Sequence, residues 1–103
     1  MYWGSLKSML PQLYNNDMFD IMSKIAPQSI DLLLTDFPYG TLNKRNEWDV
    51  IIDYDKFWNY VDIICKPNAA IISTAQQPFT TKLISTNYFM FRYCWVWEKS
   101  KAS

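Results

Sequence analysis

Histidine is absent from this chain, and cysteine and glycine occur only twice each. Without an imidazole, Ser–His–Asp and Cys–His nucleophilic sites are excluded within the chain. Cys65 and Cys94 have no metal-ligand spacing, so no metal site is expected. They read as reduced, buried thiols of a cytoplasmic protein, with a disulfide as the alternative. No apolar run comes near the roughly 18 residues of a membrane helix, and no signal peptide is present, so membrane insertion and secretion are not expected. Net charge is lacking too. Ten Lys and Arg balance ten Asp and Glu, which gives no argument for a nucleic-acid partner but leaves room for a local basic patch.

What is present is apolar and aromatic. Hydrophobic residues make up 50% of the 103, and aromatic residues 17%. A chain of this length forms one modest core, burying roughly 60–65% of its unfolded surface. Five Trp, seven Tyr and six Phe are more than such a core needs, so some are expected to line a groove or an interface.

The first eleven residues show no clear periodicity, and Gln12-Leu13-Tyr14 suits a short strand. Asn16 or Asp17 can cap a helix over 18–25, where Met18, Ile21, Met22 and Ile25 repeat at helical spacing before Pro27 ends it. Asp17 is either a cap alone or a cap that also faces a ligand. Ile30 to Thr35 is an apolar run of strand length. It ends in Asp36-Phe37-Pro38-Tyr39-Gly40, a loop at the strand end where open α/β sheets place their chemistry. A carboxylate and a ring there suit a small planar polar group.

Residues 41–52 are polar, with Lys44 and Arg45 as the one tight basic pair and Trp48 nearby. The pair reads as solvated surface or as a guide for a phosphate backbone. Trp48 is either anchored on the domain or set against a substrate. Asp53 can cap a helix over 54–65 with Phe57, Tyr60, Val61 and Ile64 buried, closed by Lys66-Pro67-Asn68. A strand over 69–75 completes a parallel βαβ unit. A third helix starts near Pro78, with Phe79, Lys82, Leu83 and Thr86 along one side. Phe89 to Glu98 reads as a last strand, with Phe91, Tyr93, Trp95 and Trp97 on one face and Arg92, Cys94, Val96 and Glu98 on the other.

Asp36-Phe37-Pro38-Tyr39 resembles the Asp-Pro-Pro-Tyr motif of the S-adenosylmethionine-dependent amino-methyltransferases of DNA, with Phe37 at the first proline. The likeness extends over residues 12–102. Tyr14-Asn15-Asn16-Asp17 is similar to that family's Tyr-Asn-Gly-Asp, and Glu47-Trp48-Asp49 to its Lys-Trp-Asp. Lys66-Pro67-Asn68-Ala69-Ala70-Ile71, Gln76-Gln77-Pro78-Phe79-Thr80 and Tyr93-Cys94-Trp95-Val96-Trp97-Glu98-Lys99 are similar to later segments. The class implied is the one in which the catalytic motif precedes the cofactor motif, common in restriction-modification and phage enzymes.

The resemblance implies a Rossmann-like α/β fold with three layers and a mainly parallel sheet. It implies methyl transfer from S-adenosylmethionine to a flipped-out base of double-stranded DNA, favouring adenine N6 over cytosine N4. Asp36 and the backbone oxygen of Phe37 would accept the two amino N–H groups. Pro38 would stiffen the turn, Tyr39 would stack on the base, and Asp17 and Asp36 would contact the cofactor. Lys44, Arg45 and Trp48 would meet DNA. Phe37, less restricted than proline, is expected to lower precision. The family's Phe-x-Gly-x-Gly cofactor loop and its DNA-recognition region have no counterpart here. The expectation is therefore the catalytic part of a truncated enzyme, inactive or very weak alone. It would associate with itself or a complementing chain through an unpaired sheet edge. A non-catalytic module binding DNA or protein is the alternative.

Overall fold

The computed structural model describes residues 10–39 and 52–101. Lys44, Arg45, Trp48 and Gly40 lie outside them. The element order is α1 (Met18–Met22), β1 (Ile30–Thr35), α2 (Tyr54–Ile64), β2 (Cys65–Ser73) and α3 (Phe79–Thr86), with a short 3-10 turn at Tyr88–Met90. The chain is α/β, and the described sheet has two strands.

Capping sets both early helices. The Asp17 side chain accepts from Phe19 N at 2.9 Å, and Asp53 accepts from Lys56 N at 3.1 Å. Each carboxylate satisfies an amide that has no intrahelical partner. α1 is shorter than the sequence predicts. It passes into tight turns at Lys24 and Ile25, which donate to Ile21 and Met22 three residues back. The 26–29 connection is then tied to the end of α2, Gln28 N donating to Ile63 O at 3.0 Å and Ser29 N to Ile64 O at 2.9 Å. Gln28 takes φ 54° to do so.

β1 and β2 pair in parallel, with Leu33 opposite Ile71, Leu34 opposite Ile72 and Thr35 opposite Ser73. β2 begins at Cys65, earlier than the predicted 69. Cys65 pairs with Ile30, the register slips before Leu32 meets Ala70, and Lys66 Nζ reaches Asp31 at 2.8 Å across the slip. Lys66-Pro67-Asn68 thus sits inside the strand as an irregularity. Proline has no N–H to give a ladder, so the pairing breaks around it and then resumes.

One face of this sheet carries the core. Met22, Phe37, Tyr54, Phe57, Val61, Ile64, Cys65 and Phe79 are buried together, with Ile30, Leu33, Ala69, Ile71 and Leu83 against them. In α2 the buried stripe is Tyr54, Phe57, Val61 and Ile64; Tyr60, expected in it, is only partly buried. Trp58 Nε1 donates to Thr86 Oγ1 at 2.9 Å and ties α2 to α3. The opposite face presents Leu32 and Leu34, 55% and 70% exposed, beside Ile72.

Two predicted strands do not form. Residues 12–14 are irregular and exposed. Residues 91–98 are exposed and belong to no helix or strand. Alternation makes a segment fit for a sheet, but a strand exists only where a neighbour supplies hydrogen bonds. Cys94 lies on this segment and is exposed, against the expectation of burial; both cysteines are free thiols, and Cys65 is buried.

Candidate functional site

The Asp36–Tyr39 loop leaves the C-terminal end of β1. Because Thr35 stands opposite Ser73, the residues that follow, Asp36 and Thr74, step off the sheet side by side. Thr74 N donates to Thr35 O at 3.1 Å, and the Thr74 hydroxyl donates to Asp36 Oδ1. The second carboxylate oxygen has no protein partner among the described residues, and Asp36 is exposed. An exposed carboxylate held on one side by a neighbouring strand is a fixed acceptor facing outward.

The next residues are held from below. Phe37 is 4% exposed, its ring edge-on to Tyr54 at 5.4 Å and to Phe57 at 4.9 Å. Such aromatic pairs are worth about 0.5–1.5 kcal/mol each beyond burial. The large Phe37 side chain is therefore spent on the core, and its packing constrains the loop backbone at this position. Tyr39, partly buried, stacks on Phe79 with centroids 4.7 Å apart and planes 19° apart. One face of its ring is thus backed by protein.

Behind the loop, Pro38, Tyr39, Tyr54, Phe79 and Lys82 line a narrow crevice. The buried Tyr54 hydroxyl has no hydrogen-bond partner among the described residues, and burial pushes its pKa up from 10.0 to about 12. A larger concavity of about 380 Å³ lies elsewhere, between Gln28, Val61, Cys65, Ala69, Ile71 and Met90. Burial, then the nearby Asp62 charge, raises the Cys65 thiol, which keeps it a protonated, inert wall of that concavity.

The sequence-predicted residues divide accordingly. Asp36, Phe37, Pro38 and Tyr39 form one continuous loop. Asp17 caps α1 through Oδ1 and is exposed. Neither Asp17 nor Asp36 borders either of these two concavities. Thr74 and Phe79, which fix the carboxylate and the ring, were not singled out as site residues in the sequence. Thr74 is found only by setting β1 and β2 in register. Among the described residues there is no group of three or more potential metal-ligating acids or cysteines, and no helix long and apolar enough to cross a membrane. Comparison of the chain with family models, with curated proteins and with solved structures finds no match.

Proposed function

We propose that this chain is the base-binding part of a DNA amino-methyltransferase with a Rossmann-like, three-layer fold, acting on adenine N6. The observation that carries the reading is the build of the Asp36–Tyr39 loop. An outward carboxylate is fixed by Thr74, a backbone is anchored by Phe37, and a tyrosine ring is backed by Phe79.

An exocyclic amine on a base is a poor nucleophile because its lone pair is delocalised into the ring. Asp36 accepts one amino N–H and the Phe37 carbonyl the other. That pairing holds nitrogen towards tetrahedral geometry and frees its lone pair, a matter of positioning and oriented dipoles. Tyr39 takes the base on its free face, after the base has left the duplex. S-adenosylmethionine would supply the methyl group in the assembled enzyme. Double-stranded DNA is the macromolecular substrate, and Lys44, Arg45 and Trp48 are its contacts in this reading. Methyl transfer by the chain alone is expected to be absent or very weak.

The amino clamp is tested without the methyl donor. Adenosine titrated into labelled protein is expected to shift the resonances of residues 36–39. N6,N6-dimethyladenosine, which has no amino N–H to donate, and the Asp36→Ala variant with adenosine should give no such shift. A stronger response to cytidine would reassign the target to cytosine N4. Equal responses to adenosine and its dimethyl analogue, or none to any nucleoside, would remove the clamp.

A further inference from the structure

The outer edge of β2 has no neighbour in the described sheet. Along the helix-side face of the same strand, Cys65, Ala69 and Ile71 open into the concavity of about 380 Å³. Met90 stands at its wall, and from there the chain runs on through 91–101 exposed along its whole length. That segment keeps strand alternation. Tyr93 and Trp95 lie on one side with rings 5.8 Å apart, and Lys99 Nζ sits 5.6 Å from the Trp97 ring. Among its described residues the molecule therefore carries an unpaired edge, beside a recess lined by apolar side chains together with Gln28, Asp62 and Lys66, and an exposed aromatic segment, and it does not join them within one copy.

We propose that the aromatic segment 91–98 of one copy adds to the β2 edge of a second copy, and that the exchange is reciprocal. Main-chain hydrogen bonds to the edge supply affinity, and alternate aromatic side chains entering the recess supply register. Area favours exchange between two copies. Tyr93, Trp95 and Trp97 are each at least 67% exposed, and at 150–250 Å² per aromatic residue they offer roughly 600 Å². One segment on one edge, with the surface beneath it, buries about 1,200 Å², the lower limit of a stable interface. Two exchanged segments double that and close the assembly with two-fold symmetry. The open spread of the chain agrees: its radius of gyration is 16.1 Å, against about 13 Å for a compact domain of this length. The inference is independent of the amino clamp, because neither β2's outer edge nor residues 91–98 belong to it.

Light scattering coupled to size exclusion at micromolar concentration is expected to give twice the 12.3 kDa of one chain. Hydrogen exchange should show protection of 91–98 that rises with concentration. The double variant Trp95→Asp/Trp97→Asp should halve the mass with an unchanged helical signal, since both rings lie outside the core. A second variant, Ser73→Pro, removes a backbone N–H that points away from β1, since the alternate residue Thr74 donates to Thr35 O, and tests the edge separately; it should also halve the mass. A monomer with an unprotected segment, or one whose segment is protected at every concentration, would overturn the proposal. So would a dimer indifferent to the Trp pair, or open-ended aggregation in place of a closed dimer.

Discussion

Tyr54 shows how closely a single atom can be tied to the stability of a small core. Its ring helps hold Phe37 in place, yet its buried hydroxyl has no partner among the described residues. Leaving a polar group dry and unpaired costs about 1–3 kcal/mol. Tyr54→Phe removes that penalty while keeping the ring, and is expected to raise stability by about 1 kcal/mol. A urea melt checks this as a higher midpoint at unchanged slope. The pH dependence has a definite sign. Burial raises the pKa from 10.0 to about 12, so between those values the unfolded chain loses a proton that the folded chain keeps. The contribution is complete below pH 10 and falls as pH rises towards 12. The difference between wild type and Tyr54→Phe should therefore widen across that window. A difference that is flat with pH would show that the hydroxyl is not desolvated.

At the scale of elements, α2 is the longest of the described helices, 11 residues, and it carries much of the buried cluster. Its start rests on Asp53, and Asp53→Ala is expected to cost about 1 kcal/mol, read as a lower thermal midpoint of the helical signal; an unchanged midpoint would deny the cap its role. Both caps were legible in the sequence because capping is local chemistry between a carboxylate and amides two or three residues away. The β1 strand and the Asp36–Tyr39 loop were legible for the same reason: an apolar run followed by proline carries its own signal. The start of β2 was not, since Lys66-Pro67 reads as a stop, and pairing with Ile30 carries the strand past it. The aromatic strand over 89–98 failed differently. Its alternation is real, but hydrogen-bond partners come from tertiary structure, which alternation does not specify. Thr74 belongs to the same category, because its role beside Asp36 follows from register and not from its neighbours in sequence.

Over the whole molecule, the described sheet separates two kinds of leucine that the sequence leaves indistinguishable within Leu32-Leu33-Leu34. Leu33 packs against the buried cluster, while Leu34 stands on the open face at 70% exposure. Adjacent residues of a strand point to opposite sides, so the two positions sample both faces at one point of the chain. The open face carries Leu32, Leu34 and Ile72 without the polar residues that a solvated sheet face normally alternates in. A charge at position 34 meets water, and Leu34→Lys is expected to change stability by no more than about 0.5 kcal/mol while lowering light scattering at high concentration. A charge at position 33 is driven into the core. Leu33→Lys is expected to destabilise by several kcal/mol, enough to unfold a domain with so small a buried cluster. Parallel urea melts of the two variants decide the orientation of the sheet. If both unfold, the open face is covered in solution, and the cover becomes the next thing to identify; if both are tolerated, the helices do not rest on the Leu33 side.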